Sequence, residues 1–313
     1  MATRSCSYAF LLLVAFQSAV MKGDTVRPPP QCRPVPASTL EKIEFVLNLI
    51  VYRAEIFLRS SVGRGINGIS PGLVQGPVPI GATVAELDGE IRDIIEEFGL
   101  SGVGHIRAIV NVTEIKAPVA RPQLNFSRQL FSDLIDVVLN GSALTPPFDV
   151  YGATTNFLFV AADASSLLQQ YLLGIIPSVV GDAERRLVAG IALKVAAEFG
   201  VIRAQLYGRA NSTVSPYKFT VANLTMLISQ LVNQLAGCGV KDEGLMVPLQ
   251  LGAENRTTSN VVPADVYSLA SPRYERELLK ILFGTGNATR PGGFFPSGFN
   301  GTLFRRIQTQ GLS

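Results

Sequence analysis

The stretch Asp88–Val112 does most to limit what this chain can fold into. Apolar residues recur along it at helical spacing, at Ile91, Ile94, Phe98, Ile106, Ile109 and Val112. His105, the only histidine in the sequence, falls seven residues after Phe98 and four before Ile109, on or beside that stripe. A histidine on the inner face of a bundle helix is one way to build a metal site. The other reading is a core histidine satisfied by its neighbours.

Three more stretches show the same long helical patterning. Ser38-Thr39-Leu40-Glu41 reads as a capping box. It opens a helix over about 40–60 whose apolar face is Ile43, Val46, Leu47, Ile50, Ala54, Phe57 and Leu58. A long apolar segment runs from Tyr151 to about Ile176, with Asp163 its only acid, and Pro177 and Gly181 close it. Asp182 then caps a helix to about Ala210. The short turn between these last two makes them antiparallel neighbours. Residues 62–86 are rich in glycine and proline, too long for a plain connection, and read as a functional or crossover loop. Shorter helices are expected at about 127–140, 219–236 and 272–283, followed by the Gly-rich tail PGGFFPSGFNG. Strand signals are sparse. The class is all-α: a Pro-rich arm over 24–37, mobile up to Cys32, a helical bundle over 38–212, and a C-terminal helical and irregular extension over 213–313 packed on it.

Residues 1–23 read as a secretory signal peptide, with Arg4 ahead of the apolar run Tyr8–Phe16 and a cleavage zone at 17–20; a retained anchor is the alternative, but the run is too short to span. Asn-X-Ser/Thr sequons begin at Asn111, Asn125, Asn140, Asn211, Asn223, Asn255, Asn287 and Asn300. That is eight of the thirteen asparagines, far more than chance supplies, so a glycosylated protein of the secretory pathway is expected, secreted or in the cell wall. Without Arg4 and Lys22 the formal charge of +3 falls to +1, which leaves no electrostatic footprint for nucleic acid. No apolar run beyond the N-terminus reads as a membrane span. Once Cys6 leaves with the signal, Cys32 and Cys238 remain; the simplest outcome is one disulfide, against two free thiols or an intermolecular bridge.

The residues now resemble a known family. The stretches EFVLNLIVYRAEIFL (44–58), PVPIGA (77–82), VGHIRAI (103–109), PPFDVY (146–151), VIRAQLYGRA (201–210), CGVKDEGLMVP (238–248) and FGTGNATRPGGFFPSGFNG (283–301) are similar to the desiccation-related proteins of plants, in the ferritin-like superfamily, over nearly the whole mature chain. The resemblance implies a ferritin-like four-helix bundle with a long crossover loop, and a role in the response to drying. Such bundles take a Glu from each of two helices and a Glu-x-x-His pair from each of the others for a di-iron site. Here Ile50 follows Asn48-Leu49 where Asn-Leu-Glu is common, Gly102 stands three residues before His105, and Val195 stands three before Glu198.

The ligand positions Ile50, Gly102 and Val195 are therefore vacated, and a small, partly apolar cavity is expected among them. His105 and Glu198 are expected to face each other there, the imidazole donating to the carboxylate. Two other arrangements stay open: a residual single metal ion, weakly bound by His105, Glu198 and Asp163 or Glu55, or Glu198 on a wetter flank paired with Lys194. Glu55 is expected on a flank beside Arg53 or Arg59. The functional expectation is a non-catalytic protein with no cofactor. The alternatives are an extracellular metal-binding, oxidase-like protein with a reduced ligand set, or a cell-wall or self-associating structural protein.

Overall fold

The computed structural model describes residues 30–247 and 256–310. Its helices are α1 (Thr39–Val62), α2 (Ile66–Ile69), α3 (Gly89–Val112), α4 (Arg128–Val138), α5 (Thr154–Ile175), α6 (Asp182–Gly208), α7 (Val221–Ala236), α8 (Glu275–Leu282) and α9 (Thr302–Gln310). The fold is all-α. α1 packs along α3 and α5 along α6, while α1–α5 and α3–α6 contacts close the four-helix bundle. Two-residue strands, β1 (Val74–Gln75) and β2 (Val119–Ala120), pair in parallel and tie the α1–α3 connection to the crossover between α3 and α5.

Local chemistry sets the ends of α1. Ser38 and Glu41 form the reciprocal capping box, and Gly63 at φ 70° turns the chain away, its N–H bonding the Arg59 carbonyl. Eighteen of the 24 residues of α1 are buried, so it is enclosed on every side rather than amphipathic. The bundle covers one side. The far C-terminus covers the other: Phe294 and Phe295 pack on Tyr52, and Phe299 packs on Phe45. The expected Gly-rich tail is therefore core, and α9, which follows it with Leu303, Phe304 and Ile307 at helical spacing, was not expected.

From Cys32 onward the N-terminal arm is docked: Val35 is buried, its N–H donates to Glu275 of α8, and Arg306 of α9 donates to the Pro36 carbonyl. The part expected to be mobile lies mostly outside the described residues. Cys32 and Cys238 are joined in a disulfide with Cα atoms 5.5 Å apart. A second correction concerns Thr154–Ser178, which is long and apolar enough to cross a membrane by length and composition. Most of α5 is buried against the rest of the chain, which is why it is so apolar.

Gly99 and Gly102 set the spacing of α1 and α3. A Cβ on Gly99 would meet the Leu58 side chain at 2.8 Å, and one on Gly102 would meet the Ala54 Cβ at 2.7 Å. Gly102 is thus a close-packing residue, not the floor of a vacated space. Gly102→Ala is expected to destabilise by about 1–3 kcal/mol, since overpacking between two rigid helices outweighs the ~1 kcal/mol gain in helix propensity. Gly104, with open space around its Cβ position, is the control: Gly104→Ala should stabilise by roughly 0.5–1 kcal/mol. Urea melts of the two variants check this; equal effects of the same sign would refute the close-packing role.

Candidate functional site at the bundle centre

Arg53 occupies the middle of the bundle. It lies one turn beyond Ile50 on α1, and its guanidinium reaches three other helices. Nε donates to Ser165 Oγ of α5 at 2.9 Å, Nη2 lies 2.7 Å from Glu198 Oε2 of α6, and the group sits 5.9 Å from the Phe98 ring of α3. Phe57, one turn on, stacks under it at 4.5 Å. Arg53 and Glu198 are both almost completely buried. Neither Arg53 Nη2 nor the Glu198 oxygens make an aligned hydrogen bond, so charge rather than hydrogen-bond geometry carries the contact. Lys194 adds a second cation, 3.4 Å from Glu198 Oε1 and 3.3 Å from Glu97 of α3.

His105 does not pair with Glu198. Its Nδ1 is buried and has no hydrogen-bond partner among the described residues. Burial, then the charges of Arg53 and Lys194, push the imidazole down to about 4. The reason for the correction is competition. Both Glu198 oxygens already face cations, Arg53 and Lys194, whereas a desolvated imidazole beside those cations is held neutral. Because the folded value lies below the ordinary 6.5, the unfolded chain takes up the proton first, and this group costs stability as pH falls from about 6.5 towards 4. The chain has one histidine, so a single imidazole Cε1–H resonance reports it. That resonance is expected to stay at its neutral position through pH 6 and move only near pH 4; an ordinary midpoint near 6.5 would show His105 to be solvated.

The other expected site residues are dispersed. Glu55 is fully buried, not on a flank: it pairs with Arg59 at 2.7 Å and with Arg121, whose remaining N–H groups donate to the Gly76 and Pro77 carbonyls. It anchors the two long connections to α1. Asp163 looks away from the centre, lining the space between α5 and α7. Ile50 and Val195 are buried in close-packed apolar surroundings, and with Gly102 against Ala54 the expected cavity is filled. Among the sequons, Asn111, Asn140, Asn211, Asn223 and Asn287 are exposed, Asn125 and Asn300 are half-buried, and Asn255 lies outside the described residues, as does the stretch read as a signal peptide.

Sequence reasoning missed Arg53 as the centre. The signal was there: it lies three residues after Ile50 and four before Phe57, on the apolar stripe itself. Arg203 carries the same mark, between Phe199 and Leu206 on the buried stripe of α6, whereas Arg121 and Arg273 lie outside the helices and carry none.

The ferritin-like catalase Nec2 of Nesocodon mauritianus is 38% identical to this chain over 287 residues, covering 89% of it and 91% of that protein. The desiccation-related protein PCC13-62 of Craterostigma plantagineum is 37% identical over 278 residues, covering 88% of each. The chain belongs to this desiccation-related, ferritin-like family. No protein-family profile and no solved structure matches it.

Ferritin-like membership raises the question of whether these residues fit a metal pair. They do not. Among the described residues, no group of three or more His, Cys, Asp or Glu side chains converges as a ligand set. The one carboxylate at the centre is held by a guanidinium and an ammonium, so a divalent cation would have to displace or repel two fixed positive charges. A bridged two-metal centre needs several carboxylates, and among the described residues Glu198 alone stands at this centre.

Proposed function

We propose that this chain is a secreted, glycosylated ferritin-like protein of the desiccation and stress-response type that acts without metal redox chemistry. The observation that carries the reading is the Arg53–Glu198 pair, which puts a fixed cation where the fold would otherwise gather ligands. Its relationship to a desiccation-related protein supports the stress role, and the exposed sequons support passage through the secretory pathway. Ferritin-like architecture then serves as a stable scaffold, with a centre that is neutralised internally.

The test is to purify the protein from a eukaryotic secretory host and measure transition metal and peroxide breakdown together. Sub-stoichiometric metal and no peroxide turnover, before and after incubation with iron or manganese, are expected. A glycosidase should also lower the apparent mass by several kilodaltons. The second reading is a peroxide-decomposing enzyme, favoured by the name of the Nesocodon relative. Two metals per chain with peroxide turnover would establish it and overturn the first.

A further inference from the structure

A cavity of about 80 Å³ lies outside the bundle centre, enclosed by α4, α5, α7 and α8 and roofed by Phe294. Its walls are almost wholly hydrocarbon, including Phe131, Phe159, Ile228, Leu231 and Ile281. One ionisable group lines it: Asp163, at the middle of α5. The acid forms no hydrogen bond or ion pair with any of the described residues, although its surroundings are rich in both. On the far side Asp242 accepts from Ser166 and Arg273, and Arg203 donates to the carbonyls of Glu243, Gly244 and Asn260. Those arginines are spent on other acceptors. Burial pushes the Asp163 carboxyl up to about 7, reinforced by Asp242 and opposed by Arg203 and Arg273.

A lone carboxyl in an apolar wall is costly unless something donates to it. Evolution has ready cheaper choices for a helix that only packs, such as leucine or alanine, both abundant on α5. We propose that this cavity binds a compact aliphatic amine, its hydrocarbon body held by the α4 and α7 side chains and its ammonium group donating to Asp163. The volume excludes bulky ligands, because an apolar hole of about 150 Å³ is what accepts benzene. The cationic head follows from the acceptor: an ionised carboxylate with no protein partner gains most from a charged donor. The site is separate from the bundle centre, and the inference stands whether or not that centre binds metal.

Calorimetric titration of the secreted, full-length mature protein tests this with two probes of equal size, both smaller than benzene, propylamine and propan-1-ol. The amine is expected to bind more tightly than the alcohol. Asp163→Asn, isosteric and uncharged, should weaken the amine by about tenfold or more, the scale of a hydrogen bond to a charged partner, while leaving the alcohol nearly unchanged. Leu231→Trp, which fills the cavity from its rim, should abolish both. The proposal fails if the wild-type protein binds neither probe. It fails equally if Asp163→Asn weakens both alike or neither, or if Leu231→Trp leaves amine binding intact. A thermal melt of each variant confirms folding, and amine binding by the wild-type protein stands as an independent readout if a variant does not fold.

Discussion

Glu198→Leu is expected to destabilise the protein by about 3–5 kcal/mol, the cost of leaving a buried charge without its partner. The charge is Arg53, whose guanidinium is buried among Phe57, Phe98 and Ser165 and, among the described residues, has Glu198 as its only ion-pair partner. Burial pulls the guanidinium down from its ordinary range and Glu198 holds it up, so removing the carboxylate removes the compensation. Glu198→Gln should cost less, since the isosteric amide keeps the packing and leaves a polar oxygen facing the guanidinium, although it loses the charge. The decisive variant is Arg53→Met together with Glu198→Leu: replacing a buried ion pair by apolar residues of similar volume is often neutral or stabilising by about 1–4 kcal/mol. Urea melts of both single variants and the double variant complete the cycle. Additive losses would show that the two residues do not depend on each other. A double variant as unstable as Glu198→Leu alone would place the loss in packing.

Reducing the Cys32–Cys238 bond is the second large effect. The bond closes a separation of 206 residues. In the chain-entropy view, releasing a loop of that size costs about 5 kcal/mol, and measured losses are typically about 2–4 kcal/mol. Cys32→Ser with Cys238→Ser should therefore lower the melting temperature by several degrees and make it insensitive to reductant. The wild-type protein should match the variant once reduced. The docked arm offers a local readout, because the Val35 N–H to Glu275 bond should lose its protection against hydrogen exchange. An unchanged melting temperature on reduction would mean that the arm's contacts with α8 and α9 suffice without the bond.

Much of the fold was legible in the chain itself. Helix ends are local events: the Ser38 box depends on residues within one turn of each other, so reading it needs no knowledge of the rest. α6 begins at Asp182 as expected, although Gly181 rather than Asp182 is its N-cap and no side chain caps it. Apolar periodicity is likewise local and reports which face of α3 turns inward. The absence of metal-ligand residues at positions 50, 102 and 195 could be read directly once the family resemblance was in view.

Tertiary structure alone decided what replaced them. Periodicity tells which face is buried but not which buried charge meets which. Glu198 had His105 and Lys194 as visible candidates, and packing brought Arg53 from another helix, with a full charge that an imidazole in the same desolvated space cannot keep. Glu55 found Arg121 across the crossover, 66 residues away. Gly102 looked like a vacated ligand position in sequence and is a helix contact in space, because the nearness of Ala54 is set by how α1 and α3 cross. The aromatic residues after Pro291 looked like a tail, and they seal α1 together with Phe126 of the crossover and α9. Sequence determined the elements and their inward faces, since those follow from residues close along the chain. The partners of the buried charges, the meaning of the glycines and the lone acid in the α4–α7 cavity depend on contacts between distant residues, and only the packed chain supplies these.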